Sequence, residues 1–161
     1  LALLAEEGMT GMLEAELGAM DSVFQYKTAE PPGNFIMPGA SLTVEIETKG
    51  KGHFRFLSVA AMLVSSNDAF LAVRGVYVNS WKDEVVDARA YDAGSEANSE
   101  LCEFVPGPTT TPCAPEEVGH DPSPSEGYVY IHSGIHGIGD LEPAEFDWQD
   151  PVAIIKVQRV K

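Results

Sequence analysis

Positive charge is what this chain lacks most. Its 161 residues carry 10 Lys and Arg against 25 Asp and Glu, a formal net charge of −15. Phosphate backbones are gripped by basic patches, so nucleic acid is excluded as a partner, and an anionic membrane surface with it. Cations or the basic surfaces of other proteins suit this field; acidity for solubility alone would look the same. Long apolar runs are also missing. Nothing approaches the roughly 20 apolar residues of a membrane helix, so no membrane span is expected. The first residue is Leu1 rather than methionine, and no basic stretch precedes an apolar one. No signal peptide is expected, and the chain reads as processed or as a fragment. Phosphate loop, dinucleotide fingerprint and nucleophile elbow are all absent, and carboxylate pairs are too common here to single out a glycosidase pair. An enzyme is not expected.

Cysteine is scarce as well, with only Cys102 and Cys113. They bracket a short segment rich in proline and threonine. That spacing fits a disulfide, and so an oxidising compartment, or else two unrelated buried thiols. A structural zinc site would want more cysteine or histidine close by.

Apolar residues nevertheless make up 44% of the chain, an ordinary globular share, and the length suits one domain spanning residues 1–161. Residues 1–7 read as a short helix stopped by Gly8. Thr10 can cap a second helix, with Met12, Leu13, Leu17 and Met20 as packing residues. Leu42, Val44 and Ile46 alternate with Thr43, Glu45 and Glu47, the pattern of a half-buried strand. Residues 49–52 read as a turn leading into a strand through Phe54, Phe56 and residues 58–64, which together predict a hairpin. Further strands are predicted over 69–78, 85–90, 127–132 and 152–160, with a short helix within 143–150. Residues 95–124 read as one long proline-rich surface loop. Strands without regularly alternating long helices predict an all-β, antiparallel sandwich with short helices near the N-terminus.

Chemistry concentrates in residues 61–96. Asp68 ends a Ser-Ser-Asn-Asp turn, and Asp92 and Glu96 flank Ala93-Gly94-Ser95. The spacing allows two outcomes: carboxylates that cap turns and face water, or a trio that meets around a hard cation. Three carboxylates that close would repel without one. His132, His136 and Asp140 stand at four-residue intervals and could make a metal-dependent hydrolase site. Gly134, Gly137 and Gly139 argue against the helix that this geometry needs, and histidines bonded to turn backbone are the plainer expectation. Tyr77, Trp81, Tyr128, Tyr130 and Trp148 could line a binding face but fit strand packing equally well.

Three of these stretches resemble, in order, motifs of the spondin N-terminal domain family. Met62-Leu63-Val64-Ser65-Ser66-Asn67-Asp68-Ala69-Phe70 resembles its characteristic turn. Tyr91-Asp92-Ala93-Gly94-Ser95-Glu96 resembles its Asp-Ala-Gly-Thr-Asp motif, and His136-Gly137-Ile138-Gly139-Asp140-Leu141 resembles a segment of bacterial members. The resemblance implies a C2-like β-sandwich that holds calcium between loops at one end, with Asp68, Asp92 and Glu96 as ligands. The animal members, F-spondin and mindin, carry Asp where this chain has Glu96. They are secreted matrix proteins that act in adhesion. The resemblance therefore implies a secreted, periplasmic or cell-surface module with a protein or matrix partner, or self-assembly. The family's opening strand has no counterpart before Leu1, which predicts an open sheet edge or groove that another chain could fill.

Overall fold

The structure is a computed structural model that describes residues 1–48, 54–78, 81–107, 113 and 117–160. Its frame is an antiparallel sheet of five strands: β1 (Phe56–Met62), β2 (Ala69–Tyr77), β3 (Glu84–Asp92), β4 (Tyr130–Ile131) and β5 (Ala153–Val157). β3 is the hub. One edge of its C-terminal half pairs with β2, Ala69 opposite Asp92 and Ala72 opposite Arg89. The other edge is shared end to end. The Ala88 carbonyl accepts from the Val152 amide and the Ala90 carbonyl from the His132 amide, so β5 and β4 follow each other along it. Alternate side chains Ala88, Ala90 and Asp92 are buried, which gives β3 one dry face that ends in a carboxylate.

β1 and β2 form the hairpin that leads into this hub. The register slips between Leu57 and Val59, where Gly75 sits at φ 69° and its amide donates to Ser58 Oγ. Such a bulge bends and twists the pair. Among the described residues no strand pairs with the outer edge of β1.

Helix α1 (Ala2–Glu7) packs on β1 and β2 through the buried Leu4 and Ala5, and Gly8 closes it at φ 69°. Helix α2 (Gly11–Ala19) departs from expectation. Thr10 makes no capping bond; its hydroxyl donates to Glu14 Oε1 at 2.6 Å. None of its residues is buried, and Met12 and Met20 stand largely in water rather than in a core.

The hairpin expected from residues 42–47 and 54–64 is corrected. Residues 42–47 form no strand. They are tied instead to residues 25–27, the Glu47 amide donating to Gln25 Oε1 and Lys27 Nζ to the Glu45 carbonyl. β1 takes β2 as its partner. The expected turn at 49–52 lies outside the described residues. The strand over 127–132 shrinks to β4, and the short helix within 143–150 is α3 (Pro143–Phe146).

The long loop after β3 is held by a Cys102–Cys113 disulfide, which the paired-cysteine expectation anticipated. Closing a loop of 11 residues this way stabilises the fold by about 3 kcal/mol in the chain-entropy account. Cys113 joins Val105, Ile135 and Leu141 in a second small core, flanked by Phe146 and Trp148. The loop therefore has an apolar base of its own, and its other side can be given to polar groups.

Gly94 fixes where that loop leaves β3. It lies at φ 67°, and a Cβ there would run into the backbone of Tyr128. Gly94→Ala is expected to cost roughly 2–4 kcal/mol, combining left-handed strain with a backbone clash. Gly39→Ala, at φ 82° with nothing within 4 Å, is expected to cost only about 1 kcal/mol. Urea denaturation of the two variants checks the difference.

Candidate metal centre

Asp68, Asp92 and Glu96 all come to the end of the sheet where β2 begins and β3 stops, and all three are buried, at 0%, 0% and 4% exposure. Asp68 is set by a turn in which Ser66 Oγ donates to the Leu63 carbonyl and accepts from the Ala69 amide. The Asn67 side chain spans to the next loop, accepting from the Glu100 amide. Antiparallel pairing then carries Asp68 to Ala93, whose amide donates to the Asp68 carbonyl at 3.1 Å.

The Asp68 carboxylate is lopsided. Its Oδ2 accepts from the Ser95 amide at 2.7 Å, the Ser95 hydroxyl at 3.1 Å and the Glu96 amide at 3.0 Å. Its Oδ1 is buried and has no hydrogen-bond partner. A buried carboxylate oxygen left bare is costly and needs a reason. Burial pushes this carboxyl above the ordinary aspartate range, against the lowering effect of its amide donors, and the Asp92 charge pushes the same way.

Asp92 is more fully held. Oδ1 accepts from the Gly94 amide at 2.6 Å, the local turn that Asp-x-Gly favours. Oδ2 accepts a short bond from the Asn98 amide group, which also donates to the Tyr130 hydroxyl at 3.0 Å. The chain of donors continues through His132. The Gly134 amide donates to its Nδ1, so Nε2 carries the proton and donates to Asn98 Oδ1 at 3.0 Å. Burial holds this imidazole below the ordinary histidine value, so it is kept neutral near pH 7.

Glu96 meets groups that sequence reasoning missed. Its Oε1 lies 3.0 Å from His120 Nδ1 and accepts from the Asp121 amide at 3.2 Å. His120 Nδ1 is also 3.0 Å from Glu6 Oε2 at the end of α1, and the ligand atoms of Glu6, Glu96 and His120 all lie within 4.8 Å of one another. Burial raises the Glu96 carboxyl, with the nearby Glu6 charge adding to it and the His120 bond opposing. The hydrogen bond to Glu96 in turn raises the His120 imidazole. The one local sign of Glu6 was an acidic pair, Glu6-Glu7, in the last turn of a helix, where it opposes the helix dipole. His120 sits in an aperiodic loop and gave no signal.

His132, His136 and Asp140 are not gathered into one ligand set. His132 serves the network above, His136 Nε2 bonds Ser133 Oγ at 2.9 Å, and Asp140 Oδ2 accepts from the Cys102 amide. Among the described residues they form no three-ligand group. The glycine-rich loop is organised instead by buried Glu100, whose two oxygens accept from the His136 and Ile138 amides at 2.6 and 2.9 Å. Sequence reading did not single out Glu100.

Asp68, Asp92 and Glu96 share one end of the sheet, but among the described residues the three acidic or histidine side chains whose ligand atoms all lie within 4.8 Å of one another are Glu6, Glu96 and His120. No family model, no curated protein and no solved structure matches this chain.

Proposed function

We propose that this chain is a calcium-binding β-module of an extracellular or cell-surface assembly, with Asp68, Asp92 and Glu96 as ligands and adhesion or assembly as its work. The observation that carries the reading is the buried, unpartnered Asp68 Oδ1 beside Asp92. Calcium takes six to eight oxygens from carboxylates, carbonyls and water. The motif order and the placement of all three residues at one sheet end support kinship with the spondin N-terminal domain, whose C2-like sandwich would use this sheet as one layer. The disulfide supports an oxidising compartment and so a secreted, periplasmic or surface location.

A second reading rests on the outer edge of β1, which no strand pairs with among the described residues: a structural subunit whose sheet is completed by a strand from a partner or a second copy. Light scattering across concentration tests the self-assembling form. Dimers weakened by Ala60→Lys on that edge are expected, and a strict monomer at high concentration counts against it.

Calcium added at about 100 times its dissociation constant to chelator-stripped protein is expected to stabilise by about 2.7 kcal/mol. For a chain of this size that is a rise in Tm of roughly 5–10 °C. Asp68→Asn abolishes the rise. Calorimetry that finds no calcium binding down to millimolar affinity sinks the proposal.

The pH dependence has a definite sign. Asp68 and Glu96 sit above their ordinary values of 3.8 and 4.5, so the fold favours their protonated forms. Without a cation their contribution is fully present below about pH 4 and is lost as pH rises through the raised values. Ligation needs the ionised forms, so the cation reverses the trend. In chelator, Asp68→Asn is therefore expected to melt above the unsubstituted protein at pH 7, with the gap closing toward pH 4. With calcium the order at pH 7 inverts. Thermal melts in both buffers check it.

A further inference from the structure

The Glu6–Glu96–His120 cluster has chemistry that the calcium reading does not use. Glu6 and Glu96 are both withdrawn from water, at 9% and 4% exposure, while His120 stands at the surface. A single ring nitrogen, His120 Nδ1, lies 3.0 Å from an oxygen of each carboxylate. One N–H cannot serve two buried anions well, and among the described residues the ion pairs of Glu6 and Glu96 are to this imidazole alone. Glu7 adds a third carboxylate 3.7 Å from His120 Nε2. Next to the cluster, the Glu96 amide is spent on Asp68, the carboxylate whose other oxygen is buried and bare. The excess of buried negative charge therefore spans both groups and exceeds what one histidine can offset.

We propose that Glu6, Glu96 and His120 form a second metal site, for a borderline divalent transition metal of the zinc, cobalt or manganese class, sharing Glu96 with the calcium site. An imidazole nitrogen with two carboxylate oxygens is a donor set for such ions, whereas calcium takes oxygen alone. Ligands bound at about 2.0–2.2 Å around a tetrahedral ion stand roughly 3.3–3.5 Å apart, so an ion entering here would need only small outward shifts of the two carboxylates from Nδ1. The His120 side chain is exposed and faces a route for entry. The metal takes the place of the Nδ1 proton, which is released to solvent, and the neutral ring keeps its Nε2–H, with that nitrogen 3.7 Å from Glu7 Oε1. Because Glu6 lies on α1, Glu96 follows β3 and His120 lies in the disulfide-tied loop, the ion would clamp three separate parts of the chain.

Cobalt(II) titration of chelator-stripped protein, followed by visible absorption, tests this. The expected result is one equivalent bound, a d–d band that zinc bleaches, and loss of about tenfold or more in affinity in Glu6→Gln and His120→Ala. Both variants should keep calcium binding, and Asp68→Asn should keep cobalt while losing calcium. His120 is exposed and Glu6→Gln is isosteric, so thermal melts in chelator serve as the folding control. Absence of a cobalt band, or equal cobalt affinity in His120→Ala, overturns the second site. Calcium failing to bind while cobalt does overturns the calcium reading alone.

Discussion

The rest of this fold is arranged around negative charge buried at one end of a sheet. Asp68, Asp92, Glu96 and Glu6 leave water together, in a chain whose formal charge is already −15. Carboxylates do this only when donors or cations meet them. The donors that the chain supplies are mostly backbone amides: Gly94, Ser95, Glu96 and Asp121, with Ser95, Asn98 and His120 adding side chains. The loop after β3 is folded back on itself to deliver those amides. Its apolar anchorage, through Val105, Cys113, Ile135 and Leu141 and the Cys102–Cys113 bond, holds it in the shape that delivery requires.

Two carboxylates in this cluster are treated differently. Asp92 has donors on both oxygens and a relay behind it, from Gly134 through His132 and Asn98. Its orientation is fixed before any ligand arrives. Asp68 has three donors crowded on one oxygen and none on the other. A fixed carboxylate and a half-bare one thus stand buried at the same end of the sheet.

How far the sequence disclosed this depends on the range of the forces involved. Gly8 ending α1 and the Asp92-to-Gly94 turn are legible because each is settled by neighbours a few residues away. β1, β2 and β3 were legible because apolar patterning and turn residues agree. Residues 42–47 misled for an instructive reason. Their alternation fits a strand, but a strand needs a ladder partner, and β1 pairs with β2, the short-loop neighbour, instead. α2 misled similarly: Leu13 and Leu17 are only half-buried and Met12 stays exposed, so the helix adds no fully buried core residue. Glu6, Glu100 and His120 were illegible because their partners lie 24 or more residues away, as His120 and Glu96 do.

This contrast bears on what the burial is for. A structural carboxylate satisfies all its acceptors, and Glu100 does so, fixing the glycine-rich loop through the His136 and Ile138 amides. Nothing further is required of it. Had Asp68 the same duty, one more amide from the adjacent turn would complete it, and the loops already bring several within reach of its Oδ2. Those donors are concentrated on one oxygen while the other is buried without a hydrogen-bond partner, as is Asp121 Oδ2 in the neighbouring loop. An apolar residue at position 68 would avoid the penalty entirely, as buried ion pairs replaced by apolar groups often do. The bare Asp68 oxygen, at the junction of β2 and β3, is the feature on which the proposed cation site rests.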